Sequence, residues 1–280
     1  MHLILILTTV ALAWYLRSRW LKPNGNWAQR WQRSLLFFLL PPLLLITAAV
    51  AVFCMGSDGQ MVGFWDGWLS YLLAGSFLAN AITLCLKLTL EGHYVVKKIR
   101  TYPCQELTGK SVYILNVPGL FSAVIGFWRP EFFMSSELLK TFKTAHLEAV
   151  LAHEQAHYDY RDTFWFFWLG WLRQLTAWLP NTKALWEELL VLRELRADAK
   201  AALQVDSLLL AEALLLVASS GVNFSDSLSM VGAVELRSRL EERIEALLSE
   251  SKSQPKMNQW FWAWLLFALL PLMAIPFHRN

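Results

Sequence analysis

Apolar positions along this chain gather into long unbroken runs. Four of them, about 1–16, 35–55, 68–88 and 259–277, approach the ~20 residues that a bilayer-crossing helix needs, the first being short. Pro41 and Pro42 interrupt the second run, which a membrane helix tolerates. Asn80, polar and inside the third, is expected to face a neighbouring helix. The segment Leu3 to Leu16 lacks the basic start and small-residue cleavage site of a signal peptide and is expected to be a retained anchor. A fifth run, Phe164 to Leu179, is too short to cross. It carries Arg173, Gln174 and four Trp and ends at Pro180. Its two readings are an interfacial or re-entrant segment and domain core.

Between the third and fourth runs the pattern changes. Residues 111–117 are rich in β-formers and stop at Pro118-Gly119; residues 121–134 are similar, interrupted at Gly126 and Arg129-Pro130. A helical pattern begins near Ser135. Helical spacing then covers about 144–160, with Leu147, Val150 and Leu151, about 183–203, and 234–250, with Leu236, Leu240, Ile244 and Leu247 on one stripe. The expected fold class is an α-helical multi-pass membrane protein. Residues 1–90 form a membrane domain of three transmembrane helices. Residues 91–250 form an α+β, mostly helical domain that includes the segment 164–179. Residues 251–280 are a linker and the last transmembrane helix.

Composition agrees with lipid as a solvent: 56% of residues are hydrophobic and 17% charged, where soluble domains carry about 25% charge. Arg17, Arg19, Lys22, Arg30 and Arg33 lie between the first two runs, and Lys97, Lys98 and Arg100 follow the third. Lys252 and Lys256 precede the last, while Asp58 and Asp66 separate the second and third. Basic loops stay in the cytoplasm. The expectation is a bacterial-type inner-membrane protein with both termini outside and residues 89–258 cytoplasmic. The net charge of +3 is spread over loops and gives no nucleic-acid footprint. Cys54, Cys85 and Cys104 have no CxxC spacing and imply neither a disulfide framework nor a thiolate zinc site.

The chemistry sits in His153-Glu154-Gln155-Ala156-His157. Residues four apart on a helix share a face, with Cβ atoms about 5–6 Å apart, so two imidazoles can hold one zinc ion with Glu154 beside it as general base. A third ligand is needed. The extended metzincin pattern would put a histidine at 163, where Thr163 stands. Downstream, Glu194 and Asp198 share a helix face. Glu194 is the candidate ligand, with Glu187 and Glu188 as rivals, and Asp198 would orient a ligand histidine. Tyr158, Tyr160, His146 and Arg193 are all conceivable oxyanion donors. A bland alternative is a surface helix with two ordinary histidines and solvated ion pairs.

The run Gly126-Phe-Trp-Arg-Pro-Glu-Phe-Phe-Met-Ser135, the segment Leu147 to His157 with Arg161-Asp162, Arg193-Glu-Leu-Arg-Ala-Asp198, and Arg239 to Leu248 together resemble the BlaR/MecR family of membrane zinc metallopeptidases. That resemblance implies a gluzincin-like domain between the third and last spans, with one Zn2+ held by His153, His157 and Glu194 and with Glu154 as the catalytic residue. It also implies a protein substrate: a cytoplasmic transcriptional repressor or the chain itself. Antibiotic-sensing members carry a penicillin-binding domain after the last span. Here the chain ends at Asn280 and the one SxxK match, Ser249 to Lys252, falls in the linker, so β-lactam sensing is not expected. An HtpX-like quality-control protease and a non-catalytic receptor or scaffold are the competing readings.

Overall fold

The computed structural model describes residues 2–22, 25–56, 64–219, 233–249 and 259–278. Asp58, Lys252 and Lys256, which carried part of the orientation argument, lie outside them, as does the side chain of Leu236. The chain divides into two compact units. The first comprises 1–89, 168–190 and 255–280, the second 90–167 and 191–254. Residues 168–190, expected within a domain spanning 91–250, therefore group with the N-terminal helices. Three helices pass from one unit into the other: α3 (Phe64–Ile99), α6 (Asp162–Leu175) and α7 (Thr182–Ala201).

The first unit is helical. It holds α1 (His2–Ser18), α2 (Trp27–Met55), parts of α3, α6 and α7, a 3-10 helix (Gln259–Ala274) and a closing turn of α-helix (Ile275–His278). Trp27–Met55 and Gly67–Ile99 are long and apolar enough to cross a membrane; α1 and Ala263–Ala274 are apolar but shorter. The last segment was expected as an α-helix. Its 3-10 winding rises about 2.0 Å per residue, so sixteen residues reach about 32 Å where α winding would reach about 24 Å. Small residues sit where helices meet: Ala13 with Leu45 and Leu179, and Ala49 and Ala74 with Val52. Asn80 is exposed at an apolar cavity of about 410 Å³ lined by Val10, Leu45, Phe77 and Trp178.

Two prolines in this unit leave carbonyls that side chains satisfy. Pro42 has no N–H for the carbonyl of Phe38 four residues back, and Arg17 Nη2 donates to that oxygen at 3.0 Å. Pro271 cannot donate to Ala268 within the 3-10 helix, and Thr47 Oγ1 donates there instead at 2.6 Å. Arg17 is fully buried, its Nη1 donating to Thr182 Oγ1 at 3.0 Å.

The second unit is a four-stranded sheet with helices on it. Strands β1 (Cys104–Leu107) and β2 (Lys110–Leu115) form an antiparallel hairpin; β4 (Glu131–Ser135) pairs parallel with β2 and antiparallel with β3 (Ser122–Ile125), giving the order β1-β2-β4-β3. Thr108 and Gly109 both take positive φ, the type I′ geometry of a two-residue hairpin loop. The run 121–134 thus contains two antiparallel strands, separated where Gly126 and Pro130 break the ladder. Ser135 caps α4 (Ser136–Thr141). Helix α5 (Thr144–Asp159) packs Val150 and Leu151 on the sheet with Val112, Ile114, Phe132 and Met134. Its Ala149 and Ala152 meet Leu210 and Ala211 of α8 (Ser207–Ser219) and Leu247 of α9 (Ala233–Leu248). With both flanks covered, α5 is fixed, and β3 is left as a sheet edge.

Candidate metal centre

Helix α5 brings His153 and His157 together one turn apart, both buried, with their Nε2 atoms 3.1 Å apart. From α7, Glu194 Oε2 lies 3.3 Å from His153 Nε2 and 3.6 Å from His157 Nε2. Ligands at the 2.0–2.1 Å of a tetrahedral zinc site stand about 3.3 Å apart. The two ring nitrogens and the carboxylate oxygen fit that figure, and they form the one cluster among the described residues able to hold a metal ion.

Each imidazole is gripped from behind. Asp198 Oδ1 is 2.8 Å from His153 Nδ1, and Asp162 Oδ2 is 2.7 Å from His157 Nδ1. With a carboxylate oxygen close behind each Nδ1, the Nε2 atoms face inward. An arginine backs each carboxylate. Arg243 of α9 holds Asp198 through two bonds of 2.6 and 2.9 Å, and Arg196 bonds the second oxygen of Asp162. Glu194 is held by Arg193 through Oε1 at 2.7 and 2.9 Å and approached by Arg243 Nη1 at 3.4 Å on Oε2. The solvated ion pairs of the bland alternative are thus half-buried supports of the cluster, and the roles of Asp162 and Arg243 are not legible from spacing.

These charges bias protonation. Burial pulls the His153 imidazole down, but the Asp198 charge and its bonds to Asp198 and Glu194 outweigh that and raise it to about 10. His157 is likewise raised, burial being overcome by Glu194 and Asp162. Burial opposes ionisation of Glu194 and Asp198, yet Arg193 and His157 hold the first well below its usual range, and Arg243 and His153 lower the second.

Glu154 is buried, and its Oε1 accepts a 2.7 Å hydrogen bond from Ser122 Oγ at the start of edge strand β3. The rival carboxylates are engaged elsewhere: Glu188 pairs with Arg30 at 2.7 Å and Glu187 with Lys183 at 3.5 Å. Among the conceivable oxyanion donors, Arg193 is committed to Glu194, Tyr160 lies under Arg196, and His146 Nε2 is 3.3 Å from Glu212. The hydroxyl of Tyr158 has no partner among the described residues.

Residues 118–228, which include the whole cluster, match the family model of Peptidase family M48. The match supports a metallopeptidase domain. M48 metallopeptidases are zinc-dependent, in keeping with the His153, His157 and Glu194 geometry. The matched stretch is less than half of the chain. No curated protein matches the sequence.

Proposed function

We propose that this chain is a membrane-embedded zinc-dependent endopeptidase with a regulatory role. The observation that carries the peptidase reading is the convergence of two α5 imidazoles and the α7 carboxylate beside a buried glutamate that is tied to a sheet edge. His153, His157 and Glu194 would hold the ion and Glu154 is the catalytic residue. When bound, zinc supplies a Lewis acid for a peptide carbonyl and makes water acidic enough to ionise near neutral pH.

Edge strand β3 offers its free backbone groups to an extended peptide, which aligns a substrate without strict sequence demands. Glu154 takes the proton of the attacking water as its oxygen adds to the scissile carbonyl carbon. It returns that proton to the departing amine when the C–N bond breaks. Ser122 keeps the carboxylate turned toward the edge. Asp162 and Asp198 hold the ligand imidazoles in the tautomer that presents Nε2.

Embedding in lipid rests on the two long apolar helices and on side chains left uncovered along α3. Leu69, Leu72, Leu73, Ile82 and Leu86 are all exposed, a face with no partner in water. The basic loops and apolar runs of the sequence support a multi-pass arrangement in a bacterial-type inner membrane with the site on the cytoplasmic side. The BlaR/MecR resemblance supports a cytoplasmic repressor, or the chain itself, as substrate. A quality-control protease is the second reading, favoured by a β3 edge that reads backbone.

Comparing the cytoplasmic proteomes of cells carrying wild type and Glu154→Gln tests this. One defined polypeptide clipped only by wild type is expected. Many misfolded membrane proteins accumulating in the variant would support quality control. Identical proteomes, with the purified wild type unable to cut any peptide, would overturn the peptidase reading.

A further inference from the structure

Past the end of β3 the chain turns through Gly126–Pro130 and leaves a pocket of about 330 Å³. Phe127, Trp128 and Arg129 form one wall; Tyr158 and Arg161, just beyond the ligand His157, form the other. Both walls are set by backbone. Gly126 has φ +125°, and a Cβ there would meet the carbonyl oxygen of Arg129 at 2.5 Å. Arg161 takes φ 52°, a left-handed conformation costly for a non-glycine residue. Phe127 is wedged against Phe164 and Phe167 at 4.9 and 4.8 Å between ring centroids, and Tyr158 stacks on Phe132.

Nearby carboxylates are already taken. Asp159 bonds Gln155 and Lys200, Asp162 bonds His157 and Arg196, and Glu131 bonds Arg100. The guanidinium groups of Arg129 and Arg161 are left with no acidic partner among the described residues, unlike Arg193, Arg196 and Arg243. We propose that this pocket is a substrate subsite that receives an acidic side chain, a few residues from the bond to be cut. The proposal rests on the peptidase reading.

Position and chemistry both argue for it. Strand β3 leaves Ser122, bonded to Glu154, and advances about 3.3 Å per residue toward the pocket. A peptide paired along that edge therefore carries one side chain into the pocket. Two guanidinium forks recognise a carboxylate bidentately, and surrounding rings shield the pair from water. Trp128, 77% exposed, is then covered by the bound chain.

The test uses the full chain in detergent carrying Glu154→Gln, and fluorescein-labelled ten-residue peptides in which one Asp or Glu is moved along an otherwise neutral sequence. Each has a twin bearing Asn or Gln. Anisotropy is expected to show about tenfold tighter binding of the acidic peptide at one position, a ratio that falls to about one in Arg129→Gln/Arg161→Asn. Asparagine tolerates the left-handed backbone at 161, and unchanged circular dichroism and zinc content establish folding. Equal binding of acidic and amide twins, or a preference that survives the double substitution, overturns the subsite. So does an arginine dependence seen only in retention on vesicles with anionic lipid, which would make the patch a membrane contact. Because binding is read without cleavage, a chain that shows the preference but whose wild type cuts nothing sinks the peptidase reading alone.

Discussion

Asp162 Oδ2 stands 2.7 Å from Nδ1 of His157, and this carboxylate, buried and backed by Arg196, sits behind that imidazole as Asp198, backed by Arg243, sits behind His153. A ligand imidazole whose outer nitrogen is held in this way is fixed in ring orientation and made more basic. Asp162→Ala should lower zinc affinity about 10–100-fold, read by competition with a chromogenic chelator. An unchanged affinity would mean that the contact does not orient His157.

Ser122 joins the edge strand β3 to the buried Glu154 through a 2.7 Å hydrogen bond. Removing its hydroxyl in Ser122→Ala leaves Glu154 Oε1 without its partner. Peptide hydrolysis should fall about tenfold, the kinetic equivalent of ~1.4 kcal/mol, with zinc content unchanged. Loss of zinc together with activity would instead make Ser122 part of the scaffold of the metal site.

The raised imidazoles give a pH dependence of definite sign. In the metal-free chain Asp198 and Glu194 push His153 up to about 10, so it carries a proton near pH 7.5, and Glu194 and Asp162 shift His157 in the same direction. Zinc needs the neutral rings, so binding expels protons. Calorimetry in buffers of different ionisation enthalpy should find more than about one proton released per zinc at that pH. None released would contradict the charge arrangement. Because the folded value lies above the unfolded one, about 6.5, this contribution to metal-free stability is full below that pH. It is lost as pH rises toward about 10. The melting temperature of the chelated protein should decline over that interval.

How much of this was written in the sequence depends on the range of each interaction. The pair His153 and His157 needs only helical spacing. Glu194 is legible only in part, because helix phase sets it apart from just one of its two rivals. At about 100° per residue Glu188 points some 120° away from it, whereas Glu187 shares its face two turns distant. Asp162 carries no role legible from spacing, because it reaches His157 through a left-handed Arg161 that no spacing rule announces. Arg243 reaches Asp198 across 45 positions of chain. The division of 121–134 into β3 and β4 was marked by Gly126 and Pro130, but β1, half of a hairpin turned by Thr108-Gly109, has too few apolar positions to stand out.

Arg17 and Phe38 give a separable test of how the first unit tolerates proline. Arg17 Nη2 serves the Phe38 carbonyl only because Pro42 lacks an N–H. Arg17→Met should therefore strand a buried acceptor and destabilise the protein by about 1–3 kcal/mol, measured by denaturant unfolding in detergent. In a Pro42→Ala background the helix can supply its own N–H to that oxygen, and the same Arg17→Met substitution should cost less. The difference between the two costs is the coupling energy of the pair. If both backgrounds lose the same stability, Arg17 acts through Thr182 or through packing on the Phe38 ring, and the proline-compensation argument fails.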